Sequence, residues 1–293
     1  MGAAPNRMPI KALVEEARVR VLGTKLGLPL RELRRRPLTK SELIRREREN
    51  AGGATVCHIV GSGWSLAESL GSILPGDYVV GYNLAALTGR RFDSYHMERI
   101  DERAPGINDF YRAMMDGSGQ DRRYIKNLYE RRAMPRVIND YLDHGCTAYR
   151  TFEAGGYFRL GQERALANYL LDGGGRFLLQ YKSSVMLFAV LYARVGFREI
   201  VLHGQDLSGP YFFDVADFPL ARELKPRACG VLPKEIPPLS KTHQINRAFR
   251  NEPRIGDVLP AMVEVLRERG VSLSCASASS PIAEFVPVHQ AGN

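Results

Sequence analysis

A glycine-rich turn is the first segment whose residue types and spacing could do chemistry. Gly61-Ser62-Gly63-Trp64-Ser65 follows the apolar run 55–60 (TVCHIV), which is typical of a buried strand. Glycines at a strand end let the backbone approach a ligand, and a helix beginning at Ser65 would direct its unpaired N–H groups there. The turn therefore predicts a phosphate site, although a plain tight turn has the same composition. Leu66 stands where a dinucleotide motif needs a third glycine, which disfavours an NAD site.

Further polar residues are predicted to follow other strands or to begin a helix. Asn83 ends the second predicted strand, Gly204 and Asp206 follow the strand EIVLH, and Ser184 opens an apolar helix. Ligands of parallel sheets bind beyond the carboxyl ends of the strands, so these residues are candidates for nucleotide binding. Each also has a structural interpretation, because asparagine favours turns and serine caps helices.

Two candidates for acid–base and leaving-group chemistry lie near the Pro-rich and basic segment 208–240. This long stretch has little periodicity, and we interpret residues 207–242 as a lid. Tyr211 falls inside the lid, and His243 follows it among polar neighbours. A histidine titrates near neutral pH and suits a general base, although a packing role for Tyr211 and a solvated role for His243 are the ordinary alternatives.

The sequence contains no Asp-x-Asp pair, which many sugar-nucleotide enzymes use to hold a divalent metal on a diphosphate. We therefore expect no metal and no cofactor, and a donor that carries one phosphate.

These motifs, in this order, resemble those of the bacterial CMP-sialic-acid-dependent sialyltransferases of Campylobacter and Haemophilus surface-glycan synthesis. The similar segments are Gly61-Ser62-Gly63-Trp64-Ser65-Leu66, Asn83, Ser183-Ser184-Val185, Gly196-Phe197-Arg198-Glu199-Ile200, Gly204-Gln205-Asp206, Tyr211, His243 and the last predicted strand with its Ser-rich turn. They cover less than half of the chain, and the block 183–206 is the most specific.

The resemblance implies a metal-independent variant of the GT-A glycosyltransferase fold and an inverting transfer from a CMP-activated acidic sugar to a surface glycan. His243 would be the general base, Tyr211 would contact the leaving phosphate, and the nucleotide would be bound by Gly61, Ser62, Gly63, Ser65, Asn83, Ser184, Gly204 and Asp206. The sequence departs from the family at Ser62, where the family has Asn, and at Tyr181, where it has Arg. One of the family's two lid tyrosines has no counterpart, since Ser208 stands near its place. These departures leave the donor sugar open between sialic acid and a relative such as Kdo.

The order of elements predicts an α/β fold with a mostly parallel, Rossmann-like sheet flanked by helices. Strands are expected at 55–60, 75–83, 92–97, 199–204 and 271–275, and helices at 40–49 (N-cap Ser41), from Ser65 through Leu74, and at 160–172, 183–195 and 257–269. Residues 97–180 are polar and carry no clear motif. We divide the chain into a basic helical appendage, 1–53, and a catalytic domain, 54–293.

Charge and composition limit the partners and the compartment. Residues 1–52 hold 13 Lys and Arg against 6 Asp and Glu, which puts +7 of the net charge of +9 there. Residues 8–22 form an amphipathic helical pattern that would lie on an anionic membrane surface or pack on the domain. No apolar run reaches the ~18 residues of a membrane span, and the cysteines are isolated, so we expect a cytoplasmic protein with reduced thiols.

Two other function classes compete with a glycosyltransferase. A pterin pyrophosphokinase-like enzyme would use ATP and magnesium, with Asp206 as one metal ligand and no convincing second. A non-catalytic module could bind nucleic acid through the basic N-terminus, but no nucleic-acid motif is present, so we expect no such partner. A homo-oligomer is left open.

Overall fold

The sheet is seen in a computed structural model, which describes residues 34–98, 105–128, 135–207, 209–228, 230 and 251–290. Within these residues, eight strands form one sheet of order β6-β5-β4-β3-β2-β1-β7-β8, and all neighbours pair in parallel. The strands are β1 (Val56–Val60), β2 (Tyr78–Tyr82), β3 (Ser94–Met97), β4 (Arg123–Leu128), β5 (Thr147–Glu153), β6 (Leu178–Gln180), β7 (Glu199–His203) and β8 (Ser272–Cys275). The predicted parallel α/β fold is confirmed.

Helices connect the strands. They are α1 (Lys40–Ala51), α2 (Leu66–Ser69), α3 (Pro105–Gly117), α4 (Pro135–Asp143), α5 (Glu163–Asp172), α6 (Ser184–Val195), α7 (Phe212–Val215), α8 (Pro219–Leu224) and α9 (Ile255–Glu268). Short 3₁₀ segments follow at Leu70–Ser72, Asn83–Thr88 and Pro281–Glu284. No helix in the described parts of the chain is long and apolar enough to cross a membrane.

Helix α6 contributes most to one of two hydrophobic clusters. It begins where the Ser183 hydroxyl accepts the N–H of Val185 at 3.2 Å, and it ends at Gly196, whose φ of 121° favours glycine. Between these ends nearly every side chain is buried, because the helix crosses the sheet from β6 to β7 beneath other elements. The predicted boundaries of this helix are confirmed.

Helix α1 belongs to the core, although it falls within the predicted appendage 1–53. Its N-cap is Thr39, in a capping box with Glu42, whereas Ser41, the predicted cap, lies inside the helix. Leu43 and Glu47 are fully buried in contact with the sheet and α6. Residues 1–33, with the predicted helix 8–22, lie outside the described residues.

The polar middle of the chain supplies three of the eight described strands. β4, β5 and β6 come from residues 97–180, where the sequence carried no clear motif. Most residues of β5 and β6 are buried, and β4 carries Lys126, which is buried in an ion pair with Glu98. A buried charge with a partner from another strand interrupts the apolar run that would mark a central strand.

The cysteines agree in part with the expectation of isolated thiols. Cys57, Cys146 and Cys275 are unbridged and buried, and Cys229 lies outside the described residues.

Candidate functional site

A cavity of about 370 Å³ opens beyond the carboxyl ends of β1, β2 and β7 and beside the start of α6. Its described lining is Ser62, Gly63, Tyr82, Asn83, Gln180, Lys182, Ser183, Ser184, Gly204, Gln205, Leu207, Gly209, Pro210 and Tyr211. Six of the predicted catalytic and nucleotide-binding residues are brought together here: Ser62, Gly63, Asn83, Ser184, Gly204 and Tyr211. Parallel strands that end at one edge of the sheet produce this convergence from five separate parts of the chain.

The glycines of the first turn are required by packing inside the protein. A Cβ at Gly61 would lie 2.6 Å from the Gly204 carbonyl, and one at Gly63 would collide with the Asp206 carboxylate. Gly204 has a φ of +59°, and a Cβ there would lie 2.8 Å from the Cβ of Leu66. The turn is thus pressed against the end of β7.

Four N–H groups of the predicted phosphate site are used inside the protein. The N–H groups of Gly61, Gly63 and Leu66 donate to backbone carbonyls at 2.8–3.1 Å, and the N–H of Ser65 donates to Asp206 at 2.8 Å. α2 also has only four residues and continues as a 3₁₀ turn, so it does not reach Leu74 as predicted. Ser65 makes no side-chain cap, and neither Gly61 nor Ser65 lines the cavity.

Asp206 lies beneath the cavity wall, fully buried. Its carboxylate accepts hydrogen bonds from the Ser65 amide, the Ser65 hydroxyl and the Ser280 hydroxyl. Burial raises the pKa of this carboxyl, while the three hydrogen bonds act in the opposite direction. Asp206 therefore joins the first turn, the end of β7 and the segment before Pro281.

Asn83 is held by Glu98, which directly follows β3. The Asn83 Nδ2 donates to the Glu98 carboxylate at 3.0 Å, and the Glu98 N–H donates to the Asn83 Oδ1 at 3.0 Å. The Ser184 hydroxyl donates to the same carboxylate, whose other oxygen accepts from Lys126. Sequence reasoning did not place Glu98 in the site, although its position after a strand end matches that of Asn83.

Lys182 is the only charged residue among the described residues that line the cavity. It adopts a φ of 50°, and its ammonium contacts the Glu252 carboxylate at 3.1 Å and the Pro253 carbonyl at 3.1 Å. Tyr181, which precedes Lys182, stands where the similar family has Arg. The cation next to it, Lys182, was therefore visible in the sequence as a candidate for the same place.

Tyr211 stands at the edge of the cavity against the first turn. It forms an antiparallel bridge with Gly63, and its ring stacks on Phe213 with centroids 5.2 Å apart. The described part of the predicted lid contains α7 and α8, and Phe212 is fully buried. These residues are therefore folded onto the domain. His243 lies outside the described residues.

His96, in β3, is fully buried. Its Nε2 pairs with the Tyr192 hydroxyl at 2.8 Å, and burial lowers its pKa to about 3. It is a core residue. Among the described residues, no group of three or more His, Cys, Asp or Glu side chains could hold a metal ion.

No protein-family model matches the sequence, and neither does any curated protein. Solved structures do show similarity. The sialyltransferase CstII with a trisaccharide acceptor and CMP is 17% identical, over 80% of this chain and 86% of that chain, with a TM-score of 0.45. CstII from Campylobacter jejuni with the substrate analogue CMP-3FNeuAc is 17% identical over the same shares, with a TM-score of 0.44. The monofunctional α-2,3-sialyltransferase Cst-I from Campylobacter jejuni is 12% identical, over 80% of each chain, with a TM-score of 0.45. All three are sialyltransferases, the family that the motifs of this sequence resemble.

Proposed function

We propose that this protein is a glycosyltransferase that moves a CMP-activated acidic sugar, sialic acid or a relative such as Kdo, to a glycan acceptor. The observation that carries the proposal is the convergence of six motif residues on one cavity. Its volume of about 370 Å³ lies at the lower end of the range for small-molecule sites.

The phosphate of the donor is the group that Lys182 would bind. Because the N–H groups of Gly61, Gly63 and Ser65 are used internally, a cation on the cavity wall is the better-supported partner for an anion. Ser62 and Gly63, at the same cavity, then contact the nucleotide through the side chain of Ser62 and through van der Waals packing.

The proposed reaction is a single displacement with inversion. The acceptor oxygen forms a bond to the anomeric carbon while the bond from that carbon to the phosphate oxygen breaks, and CMP leaves. His243 takes the proton of the acceptor hydroxyl, and Tyr211 donates a hydrogen bond to the departing phosphate, whose charge increases.

A ligand screen tests the proposal. CMP with EDTA present should raise the melting temperature, because a bound ligand adds about 2.7 kcal/mol at a hundred times its dissociation constant. CDP, UDP and NAD should have smaller effects. Stabilisation by ATP with magnesium alone would contradict the proposal and favour a pyrophosphokinase. If CMP binds, transfer assays with CMP-sialic acid and CMP-Kdo identify the sugar.

We also propose that the basic N-terminal residues bring the enzyme to an anionic membrane surface where glycolipid acceptors lie. Each basic residue near such a surface contributes about 1 kcal/mol. Flotation with anionic vesicles should capture the full chain and lose the chain that lacks residues 1–33. The cut belongs at residue 33, because α1 is part of the core. Equal flotation of both chains would refute this proposal.

A further inference from the structure

A buried ion pair lies beneath the cavity wall. The Lys126 ammonium donates to the Glu98 Oε1 and, at 2.7 Å, to the Gln180 Oε1, and the Lys126 and Glu98 side chains are only 5% and 6% exposed. Such a pair is tolerated when further hydrogen bonds satisfy both partners, which is the case here. Because the Lys126 ammonium is bound by both Glu98 and Gln180, it holds the Glu98 carboxylate in place.

The second oxygen of Glu98 fixes the direction of a hydrogen bond at the cavity. An ionised carboxylate accepts only, so both the Asn83 Nδ2 and the Ser184 hydroxyl must donate to it. A serine hydroxyl has one proton. Because Ser184 gives that proton to Glu98, its oxygen can offer a ligand in the cavity only lone pairs.

The Tyr82 hydroxyl, on the same cavity, is oriented in the same way. The Gln205 Nε2 donates to the carbonyls of Ile59 and His203 at 3.3 and 3.2 Å, which turns the Gln205 Oε1 toward Tyr82. Tyr82 donates to that oxygen, so its remaining capacity is also that of an acceptor. The Ser184 and Tyr82 hydroxyls donate their protons to Glu98 and Gln205, so both can only accept hydrogen bonds from a ligand in the cavity.

We propose that Glu98 is a positioning residue that makes Ser184 a hydrogen-bond acceptor, and that this wall of the cavity selects nucleotides with a donor group facing it. The donor is a ribose hydroxyl or the exocyclic amine of the base. A ligand without it leaves a desolvated acceptor unpaired, and sites built around such a bond reject the deficient analogue strongly. This inference rests on the proposed function, since CMP is the ligand considered.

Binding of CMP analogues to the wild-type protein is the first measurement. Isothermal titration in EDTA compares CMP with 2′-deoxy-CMP, 3′-deoxy-CMP and UMP, each of which lacks one of the candidate donors. We expect at least one analogue to bind tenfold or more weakly than CMP, and its identity names the donor. If none of the four nucleotides binds, the proposed function fails and this inference fails with it. If all four bind equally, this inference alone is overturned.

Variants then test the role of Glu98. In Glu98→Gln, Lys126 keeps the amide oxygen, so the amide NH₂ faces both Ser184 and the Asn83 Nδ2. The Ser184 oxygen must now accept and its proton turns to the cavity, while the Asn83 Nδ2 loses this acceptor. The preference for CMP over the discriminating analogue should fall below threefold. Ser184→Ala, which retains the ion pair, should abolish the preference as well. Glu49→Gln, at an exposed position of α1, is the matched control and should keep it.

Thermal unfolding separates this effect from misfolding. Glu98→Gln removes the ion partner of a buried ammonium and is therefore the variant more at risk of misfolding. If it does not fold, Ser184→Ala supplies the decisive result. A loss of affinity that is equal for CMP and the analogue in both variants would mean that Glu98 and Ser184 are only structural, and would overturn the proposal.

Discussion

Lys182 is the residue whose charge distinguishes one side of the cavity from the rest. If its ammonium binds the donor phosphate, Lys182→Met should weaken CMP binding at least tenfold, since a hydrogen bond to a charged group contributes about 1.5–3 kcal/mol. Cytidine, which has no phosphate, should bind the variant and the wild-type protein equally. Titration calorimetry with both ligands makes the comparison, and Arg45→Met on the exposed face of α1 is the control. Equal losses for CMP and cytidine would show that Lys182 only supports the wall through Glu252.

His243 is the proposed general base, and its replacement tests that role. His243→Ala should reduce the transfer rate at least a hundredfold, the lower end for a missing base. CMP affinity should be retained, because the base contacts the acceptor. Steady-state rates and CMP titrations check both statements. Near-normal turnover in the variant would place the base elsewhere.

His96→Ala is the comparison for that experiment, because His96 is buried in the core. It should lower thermal stability and leave the turnover of the folded fraction within a few fold of wild type. A loss of turnover larger than that of His243→Ala, at unchanged stability, would contradict this assignment.

The sequence was sufficient to predict which strand ends meet at the cavity, and insufficient to predict the hydrogen bonds among their residues. Asn83, Ser184 and Gly204 were found because a polar residue after an apolar strand or at the start of an apolar helix is visible in one dimension. The N–H groups of the first turn were expected to be unpaired, but the Ser65 N–H is used by Asp206, which lies 141 positions away. Glu98 and Lys126 are buried as an ion pair, and the sequence around either residue does not indicate that they pair.

At the scale of elements, α1 shows how composition can mislead. Its sequence, KSELIRRERENA, is among the most polar of any helix described, yet Glu47 is fully buried and accepts hydrogen bonds from Tyr78, Ser94 and Tyr192 at 2.7–3.1 Å. The Glu47 carboxylate is the shared hydrogen-bond acceptor of hydroxyls on β2, β3 and α6. Charge alone suggested a solvated face, whereas partners on three other elements make burial of this group possible.

These hydrogen bonds to Glu47 predict that α1 is required for folding. The chain lacking residues 1–52 should melt more than about 10 °C below the chain lacking residues 1–33, because it loses the buried face of α1 and leaves three hydroxyls without their acceptor. Differential scanning calorimetry on the two truncated chains measures the difference. Within the longer of them, Glu47→Gln should be milder than Glu47→Ala, which removes the acceptor outright. Equal melting temperatures of the two chains would restore the predicted boundary at residue 53.

At the scale of the whole molecule, buried histidines link the central strands. The His58 Nδ1 and the His203 Nε2 lie 2.8 Å apart between β1 and β7, and the His58 Nε2 lies 3.0 Å from the Asp77 carboxylate. Burial lowers the pKa of His203 to about 3, as it does for His96, and lowers that of His58. The folded core therefore requires the rings of His96 and His203 to remain largely neutral well below the pH at which an exposed histidine gains a proton.

The sign of the resulting pH dependence follows from proton uptake. An unfolded chain protonates His96 and His203 below about pH 6.5, whereas the folded chain holds them neutral to about pH 3, so the unfolded state binds more protons between these values. The stability contributed by each ring is present above pH 6.5 and is lost as the pH falls. From pH 7.5 to 5.0 each ring should cost up to about 2 kcal/mol of unfolding free energy.

Urea unfolding of the wild-type protein and of His96→Phe at these two pH values isolates one ring. Phenylalanine keeps the contacts with Tyr124 and Phe188 and cannot titrate, so the variant should lose about 2 kcal/mol less than the wild type over the interval. Carboxylates that titrate in the same range are common to both chains and cancel in the difference. An identical loss in the two proteins would mean that His96 becomes protonated in the folded state, which would require an opening of the core around it.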